Sequence, residues 1–324
     1  MRRTIKITAR IERWPVAGAF IIARGAKTHV DVIVVAVSDG VHIGCGEATP
    51  IYYKGETAEG AVAAITALSR DVDREALQSC LPAGAARNAL DNALWDLAAQ
   101  QQGIAVWQLA GLPPPQPLVT AMTVSLGTPE KMETDARALS GQFGLLKLKL
   151  SGEGDSERVA AVRRGAPAAR LIVDANESWT GRDIAAEAGA LLPYGVELIE
   201  QPVKAGEDHL LDGVRPPIPL AADESCHDRA DLARCKGRYA AINIKLDKAG
   251  GLTEALALKD EARAMGFDIM VGCMLSTSLG IAPAFLVAQD VKWVDLDGSM
   301  LLAKDRTHAF NFAGGILTPP ANRY

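Results

Sequence analysis

Short apolar runs recur along the chain from about residue 118, and the stretches between them are rich in Ala, Glu and Arg. Stretches such as SERVAAVRRGAP and TEALALKDEARAMG space their apolar residues as an amphipathic helix does. Strands alternating with helices predict βα units on a parallel sheet, and eight such units are the count of a closed TIM-type barrel. The alternative is an open doubly wound sheet, but the GxGxxG expected after its first strand is missing. The eight runs cover residues 118–125, 144–150, 170–176, 196–202, 218–225, 241–247, 267–273 and 292–298.

The first part of the chain has a different pattern. ITARIERWPVAGAF, THVDVIVVAVSDG and VHIGCGEATP are typical of antiparallel strands, and helical spacing follows at 57–70 and 85–103. The Pro-rich segment GLPPPQPL is a natural linker. The sequence therefore predicts an α/β protein in which an α+β capping domain (1–115) precedes a barrel (116–299), with the tail (about 300–324) completing the capping domain.

Two lysines occupy the run GLLKLKL. Successive side chains of a strand point to opposite faces, so Lys147 and Lys149 share one face, while Leu146, Leu148 and Leu150 share the other. If the leucines pack against helices, both lysines point into the barrel. Burying two like charges side by side is costly. This favours a functional site over the alternative, an edge strand with a solvated face.

Three carboxylates lie at the ends of three successive runs, at intervals that each match one βα unit: Asp174, Glu200 and Asp223. Since the carboxyl ends of barrel strands meet at one mouth, these side chains should converge. Taken singly, each Asp could be a helix N-cap. Together, opposite two lysines, they predict a hard cation held by oxygen atoms, which suits Mg²⁺. Asn176 follows Asp174 on the same face.

The later runs add charged residues. Lys245 alternates with apolar residues in AINIKLD and so points inward from the wall across the predicted metal; alone, it fits equally well as a salt-bridge partner of a ligand carboxylate. Glu224 could cap a helix, lie in a solvated loop or orient a lysine. Asp295 and Asp297 share a face of the last strand, where they could bind a cation, although Asp-Gly is also a common turn.

Composition narrows the class of protein. With 48% hydrophobic and 23% charged residues among 324, the chain has the composition of a globular protein. Its net charge of −5 argues weakly against binding to nucleic acid or to an acidic membrane surface. Neither a signal peptide nor an apolar stretch long enough to span a membrane is recognisable, and the five cysteines form no CxxC pair. We therefore expect a cytoplasmic protein without nucleic-acid or membrane partners.

A metal flanked by two lysines is equipped to move a proton off a carbon next to a carboxylate. The cation stabilises the charge of the developing enediolate, and a neighbouring ammonium lowers the pKa of a lysine so that it can act as a base. With one lysine on each face of the enediolate, one removes the proton and the other delivers a proton to the opposite face, which inverts the configuration of the carbon. Two equivalent bases favour racemisation over dehydration, which requires a differently placed acid.

The segments KLKL, IVDANESW, LIEQP, LAADESC and INIKLDKAGGL resemble the muconate-lactonising subgroup of the enolase superfamily. VGCML, DLDG and ARNALDNALWDLAA look like the L-Ala-D/L-Glu dipeptide epimerases within it. The resemblance implies a (β/α)₇β barrel with a capping domain, a dipeptide substrate, and recycling of peptidoglycan peptides. It implies one Mg²⁺ per subunit on Asp174, Glu200 and Asp223, with Lys149 and Lys245 as the acid/base pair.

The resemblance also implies how the substrate is held. Lys147 would lie near the substrate carboxylate, Asp295 and Asp297 would hold the α-ammonium, and Arg24 in the capping domain would meet the acidic side chain. Asn176 and Glu224 are expected to support these residues. A homo-oligomer is possible within the family.

One segment departs from the family pattern. The cap loop reads ATPIYYKGET, where close relatives tend to have a Tyr-Pro-Arg-Tyr-like segment, so residues 51–54 could alter the preferred side chain. Alternative activities on the same scaffold are N-succinylamino-acid racemisation, o-succinylbenzoate synthesis and muconate cycloisomerisation, none of which needs Asp295 and Asp297. An inactive metal-binding protein is the alternative of another class, against which the retained lysines and carboxylates argue.

Overall fold

The N-terminal part is an antiparallel sheet covered by helices, in a computed structural model that describes residues 5–22, 25–68 and 72–320. The sheet contains, in order, β1 (Lys6–Ile22), β2 (Gly25–Ser38) and β3 (Ile43–Ala48). The helices are α1 (Ala58–Thr66), α2 (Arg74–Cys80), α3 (Ala85–Gln102) and α4 (Val106–Leu109). We call residues 5–22, 25–68 and 72–110 the cap.

Two glycines let α3 lie directly on β3. A Cβ atom at Gly44 would come within 2.1 Å of the carbonyl oxygen of Ala93, and one at Gly46 within 2.1 Å of that of Ala89. Because any side chain would collide with the helix backbone, these positions require glycine. The close contact fixes β3, which leads into the loop above the barrel.

Eight parallel strands form the second part, and their order around the sheet follows the chain. The N–H of Ala121 donates to the carbonyl of Val294 across the seam between the first and last strands, at 2.8 Å. The predicted eight-stranded barrel is therefore confirmed. Its strands are β5 (Met122–Val124), β6 (Leu145–Lys149), β7 (Arg170–Asp174), β8 (Val196–Glu200), β9 (Leu220–Ala222), β10 (Ala241–Ile244), β11 (Asp268–Gly272) and β12 (Trp293–Asp295).

Helices connect the strands in the (β/α)₇β manner. The connection between β8 and β9 contains only the 3₁₀ helix Asp208–Leu211. Among the described residues, no helix is both long and apolar enough to cross a membrane. The barrel helices are α5 (Pro129–Leu139), α6 (Asp155–Gly165), α7 (Ile184–Leu191), α8 (Leu232–Cys235), α9 (Leu246–Ala249), α10 (Leu252–Ala264) and α11 (Ser278–Val287).

The barrel has apolar residues both inside and outside its strands. Leu146, Leu148 and Leu150 belong to the large core between strands and helices, which orients the lysines of β6 inward as their alternation predicted. Inside, a second core contains one residue from each strand or from just before it. That inner core comprises Ala121, Leu145, Ile172, Leu198, Ala221, Ala241, Met270 and Trp293.

The segment after β12 contacts both parts of the molecule. The N–H of Ala17 in β1 donates to the carbonyl of Leu301, and the N–H of Ala303 donates to that of Pro15, both at 2.8 Å. Farther on, β13 (Asn311–Ala313) and β14 (Ile316–Thr318) form a small antiparallel sheet with β4 (Leu118–Val119), next to the start of the barrel. The tail predicted to complete the cap thus also pairs with the segment leading into β5.

Candidate active site

Lys147 lies at the centre of a buried ionic cluster at the carboxyl ends of the strands. Its Nζ is 2.6 Å from Oε2 of Glu200 on β8, 2.7 Å from Oδ2 of Asp295 on β12 and 3.5 Å from Oδ2 of Asp174 on β7. Burial alone would lower the pKa of Lys147, but the three carboxylates raise it well above its usual value. Lys147 is therefore a permanent cation in this arrangement.

The two other predicted lysines approach from opposite walls. Nζ of Lys149 is 2.7 Å from Oδ2 of Asp174, and Nζ of Lys245 is 2.6 Å from Oδ2 of Asp223 and 3.8 Å from Oε1 of Glu200. Lys149 ends β6, and Lys245 directly follows β10, four strands away in a ring of eight. The lysines thus face each other across the carboxylates.

The three carboxylates are buried and close enough to influence one another. Burial opposes ionisation of Asp174, but Lys149 and Lys147 lower its pKa to about 2. Burial and the charge of Asp174 raise the pKa of Glu200. Burial likewise opposes ionisation of Asp223, whose pKa Lys245 and another lysine, Lys248, nevertheless hold well below its usual range. When ionised, the three buried carboxylates therefore need positive charges close to them.

This donor set fits a hard divalent cation in its chemistry, because every candidate ligand is a carboxylate oxygen. In the side-chain arrangement of the structure, however, these oxygens are turned towards lysine Nζ atoms. Accordingly, no group of three or more His, Cys, Asp or Glu side chains within the described ranges is arranged around a common metal position. In this arrangement the ammonium groups supply the positive charge next to the carboxylates.

Two polar residues of the site were not predicted. Lys248 is buried, with its Nζ 2.7 Å from Oδ1 of Asp223, and it donates to the carbonyl oxygens of Asp223, Cys226 and Asn243. Asn243 donates from Nδ2 to Oε1 of Glu200 at 2.7 Å. Lys248 lies in α9, a helix of four residues that is too short to leave a helical period in the sequence. Both residues hold candidate ligands in place.

The two aspartates at the end of β12 and just after it differ in their contacts. Asp295 forms the ion pair with Lys147, whereas Oδ2 of Asp297 accepts the N–H of Thr123 at 2.7 Å. Burial and the charge of Asp295 raise the pKa of Asp297 to about 7. Both line the cleft, and the turn begins only after Asp297. They are therefore placed to meet a cation in the cleft.

Asn176 and Glu224 are buried and line the same cleft. Asn176 has a left-handed backbone (φ 44°), and its N–H donates to Oδ1 of Asp174 at 2.9 Å. Its side-chain Oδ1 has no hydrogen-bond partner among the described residues. This strained backbone holds Asp174 while an amide oxygen remains available to a ligand.

The cap covers this cleft, whose volume including its open mouth is about 680 Å³. Phe20 of β1 and Lys27 of β2 reach the cleft, as do Tyr52 and Tyr53 from the short 3₁₀ helix after β3. The sequence did not predict that Phe20 or Lys27 would reach the cleft. It did single out residues 51–54, which include the two tyrosines, as a segment that could alter the preferred side chain. Arg24 lies outside the described residues, so its role stays a prediction.

Comparison with known proteins gives similar enzymes over nearly the whole chain. The L-Ala-D/L-Glu epimerase of Escherichia coli is 47% identical over 97% of this chain and 99% of that protein. The N-acetyl-D-glutamate racemase of a Pseudoalteromonas species is 43% identical over 89% of this chain and 93% of that protein. Both relatives are isomerases that act on glutamate derivatives.

Solved structures agree with the fold. An enolase family member from Agrobacterium tumefaciens, described as homologous to dipeptide epimerases and as having bound sodium and L-Ala-L-Glu, has a TM-score of 0.94 and 46% identity, covering 97% of this chain and 98% of its own. A dipeptide epimerase from Enterococcus faecalis, complexed with Mg and L-Leu-L-Tyr, has a TM-score of 0.89 and 29% identity, covering 98% and 97%.

Family models match both parts of the chain. Residues 4–111 match the N-terminal domain of mandelate racemase/muconate lactonizing enzyme, and residues 131–322 match the enolase C-terminal domain-like model. The resemblance inferred from the strand-end motifs is confirmed, as is the fold class. This chain therefore belongs to the mandelate racemase/muconate lactonizing enzyme family.

Proposed function

We propose that this chain is a Mg²⁺-dependent dipeptide epimerase that interconverts L-Ala-L-Glu and L-Ala-D-Glu. The observation that carries the proposal is the pair of buried lysines, Lys149 and Lys245, which face each other across converging carboxylates. An amine on each face of a planar carbanion is what inversion of a carbon requires. The similarity to an L-Ala-D/L-Glu epimerase supports the choice of substrate.

In one direction, Lys149 accepts the α-proton and Lys245 donates a proton to the opposite face; in the other, the roles exchange. Asp223 and Glu200 counteract the effect of burial on Lys245 and raise its pKa, which favours the proton-donating form in this arrangement. Lys147 contributes a fixed positive charge next to the position of the substrate carboxylate. Asp174, Glu200 and Asp223 would hold Mg²⁺, which when bound supplies charge that stabilises negative charge on that carboxylate.

The test is incorporation of deuterium into L-Ala-L-Glu in D₂O, followed by NMR. We expect exchange of the glutamate α-proton and appearance of L-Ala-D-Glu, loss of both after EDTA treatment and dialysis, and recovery with Mg²⁺. Asp174→Asn should abolish exchange by removing a ligand charge. Asp268→Asn, which removes an exposed carboxylate paired with Lys292, is the matched control and should exchange normally. Full turnover of the metal-free native enzyme would refute the metal assignment.

A second candidate function is racemisation of an N-acylated glutamate, because the Pseudoalteromonas relative is an N-acetyl-D-glutamate racemase. The two substrates differ at the nitrogen end: a dipeptide has an α-ammonium, and an N-acyl amino acid has none. Asp297 is buried in the cleft, and burial together with the charge of Asp295 raises its pKa, so a cation beside it would favour its ionised form. An ammonium would supply that charge, so we favour the dipeptide.

Asp297→Asn separates these functions. For a dipeptide, we expect loss of a buried charge pair, which costs roughly 2–5 kcal/mol and should lower kcat/KM accordingly. N-acetylglutamate, which has no charge to pair, should be much less affected. A native enzyme that racemises N-acetylglutamate faster than it epimerises L-Ala-L-Glu would identify the second candidate as the function.

The cellular role is proposed from the identity of the substrate alone. Because the family is associated with Ala-Glu dipeptides from peptidoglycan, we propose that this enzyme recycles peptidoglycan peptides in the cytoplasm. Exchange in D₂O also tests the alternative of an inactive metal-binding protein, which would show none.

A further inference from the structure

We infer that Gly272, the last residue of β11, is a positioning residue for Lys245: because Gly272 has no side chain, the stem of the lysine has room beside it. The inference rests on the proposed dipeptide epimerase function and deepens it, since it concerns the group that serves one face of the reacting carbon. A substitution at Gly272 should therefore disturb one face of the reaction and spare the other.

The inward-facing residues of the strands form two levels in the barrel. The lower level is the inner core, with one residue from each strand or from just before it. Since side chains alternate along a strand, the residue two positions further along the chain also points inward and belongs to the level above. Seven of these eight upper residues are polar or charged, and the eighth is Gly272, two residues after Met270. The upper level comprises Thr123, Lys147, Asp174, Glu200, Asp223, Asn243, Gly272 and Asp295.

The space in front of Gly272 is already filled by its neighbours. The backbone at this position does not itself require glycine, because its φ is not among the positive values found at other glycines. A Cβ atom here, however, would lie 2.8 Å from Oδ1 and 3.0 Å from Nδ2 of Asn243, and 3.1 Å from Cε of Lys245. These distances are shorter than ordinary contacts between non-bonded heavy atoms. The side chains of Asn243 and Lys245 thus use the room that a side chain at position 272 would need.

Strand pairing explains why the lysine lies beside this glycine. β10 and β11 are parallel, and Ile244 at the end of β10 is opposite Val271. Continued by one residue, this register sets Lys245 beside Gly272. Both positions are on the inward face, so a side chain at position 272 would stand next to the lysine stem.

An added Cβ atom would press on both side chains, with different results for the reaction. Displacement of Asn243, whose Nδ2 donates to Oε1 of Glu200 at 2.7 Å, would disturb a candidate metal ligand and hence both faces. Displacement of Lys245 would disturb one face only. We expect the lysine to yield, because its four-carbon stem is flexible and the contact is at Cε, next to the ammonium. A misplacement of about 1 Å in such a group can lower the rate about 100-fold.

The test is Gly272→Ala, assayed by NMR exchange in D₂O from L-Ala-L-Glu and from L-Ala-D-Glu separately. We expect exchange of the epimer whose proton Lys245 removes to fall about 10–100-fold, and that of the other epimer to change less than about 3-fold. The affected epimer should be the one that Lys245→Ala no longer exchanges, and Mg²⁺ affinity measured by calorimetry should stay at the native value. The matched control is Gly189→Ala in α7, where an added Cβ meets no atom within 4 Å; it should behave as the native enzyme does.

A second variant keeps the test decisive if Gly272→Ala folds poorly. Gly272→Ala/Lys245→Ala removes the stem that the added methyl group would meet. Because both changes act on the same contact, their effects should not add, and the double variant should fold and exchange as Lys245→Ala alone does. A double variant that exchanges more slowly than Lys245→Ala, or that does not fold, would show that position 272 acts through other contacts and would overturn the inference.

Two other outcomes overturn the inference. An equal fall for both epimers in Gly272→Ala, together with weaker Mg²⁺ binding, would mean that the position acts through Asn243 and Glu200. Unchanged exchange of both epimers would mean that Lys245 does not need this space. Failure of the proposed function is distinguishable from either outcome, because the native enzyme itself would then exchange neither epimer.

Discussion

At the scale of single residues, the site is defined by which carboxylate each ammonium meets. Lys149 pairs with Asp174, Lys245 with Asp223, and Lys147 bridges Glu200 to β12. Removing one partner of a buried pair leaves a charge without compensation, which is more damaging than losing the contact itself. A substitution here can therefore disturb its neighbours, and tests of catalysis need readouts that separate the two effects.

The lysine pair gives such a readout. Lys149→Ala and Lys245→Ala should each lose net epimerisation by about 10²–10⁴-fold, because each removes one general acid/base. Each variant should still exchange the α-proton of one epimer with solvent, since the remaining lysine serves one face. The measurement is NMR exchange in D₂O starting from each epimer separately.

The control for this pair is Lys292→Met, which removes an exposed lysine that pairs with Asp268, and it should behave as the native enzyme does. Near-normal epimerisation by Lys245→Ala would contradict the opposite-face assignment. Exchange of both epimers by one single variant would contradict it equally.

At the scale of elements, alternation along the strands predicted the orientation of the site lysines, because leucines packed under helices leave only one face for charge. The sequence did not reveal Lys248, since α9 is a four-residue helix, too short to show a period. It also did not reveal Phe20 and Lys27, whose approach to the cleft depends on how a long hairpin docks on the barrel. Tertiary packing, which no local pattern encodes, decides such positions.

One link between elements carries a pH-sensitive group. Oδ1 of Asp247 in α9 accepts the N–H of Thr49 at 2.8 Å and Nδ2 of Asn88 at 2.9 Å, so a barrel residue holds two parts of the cap. Burial, with a smaller contribution from Glu56 and Glu47, raises its pKa from 3.8 to about 7 against these hydrogen bonds. Ionisation is thus less favourable in the folded protein than in the unfolded chain.

The sign of the effect follows from linkage. Because the folded-state pKa exceeds the unfolded value, the contribution of Asp247 to the free energy of unfolding falls as pH rises from about 4 to about 7. Asp247→Asn keeps an acceptor for both hydrogen bonds but cannot ionise. Its Tm relative to the native protein should therefore increase over this range and level off above it, as measured by calorimetry.

Asp260→Asn, an exposed substitution on α10, is the control and should give a Tm difference that does not vary in this way. A Tm for Asp247→Asn that lies below the native value at every pH would show that the link needs a carboxylate.

At the scale of the whole molecule, a buried ionic cluster joins the cap, the barrel and the tail. Glu47 at the end of β3 is fully buried and accepts from the N–H of Thr277 at the start of α11. Arg306 of the tail donates to Glu47 at 2.6 Å, to Thr277 Oγ1 at 2.6 Å and to Glu12 of β1 at 2.8 Å. Arg306 thus joins the tail to the cap, through Glu12 and Glu47, and to the barrel, through Thr277.

Arg306→Met should lower stability by about 3 kcal/mol, because it leaves the Glu47 carboxylate buried without its cation. The double variant Arg306→Met/Glu47→Gln should recover much of this loss, since glutamine still accepts from Thr277. Thermal unfolding measures both. Glu12→Gln, at the more exposed end of the cluster, is the control and should cost at most about 1 kcal/mol. Equal Tm values for the single and double variants would show that charge burial is not the cause.

The strands β6 and β10, which carry or precede the two facing lysines, lie on opposite sides of the barrel. This placement has a consequence for the direction of the reaction. In the proposed mechanism the two lysines exchange roles when the reaction reverses, so the forward and backward paths use the same groups. A catalyst cannot alter the equilibrium constant, and the ratio of kcat/KM in the two directions is therefore the same in every variant. Even a variant with one-sided exchange must lose turnover equally both ways. The net flow through this enzyme is consequently set by whatever consumes one epimer and not by the site itself.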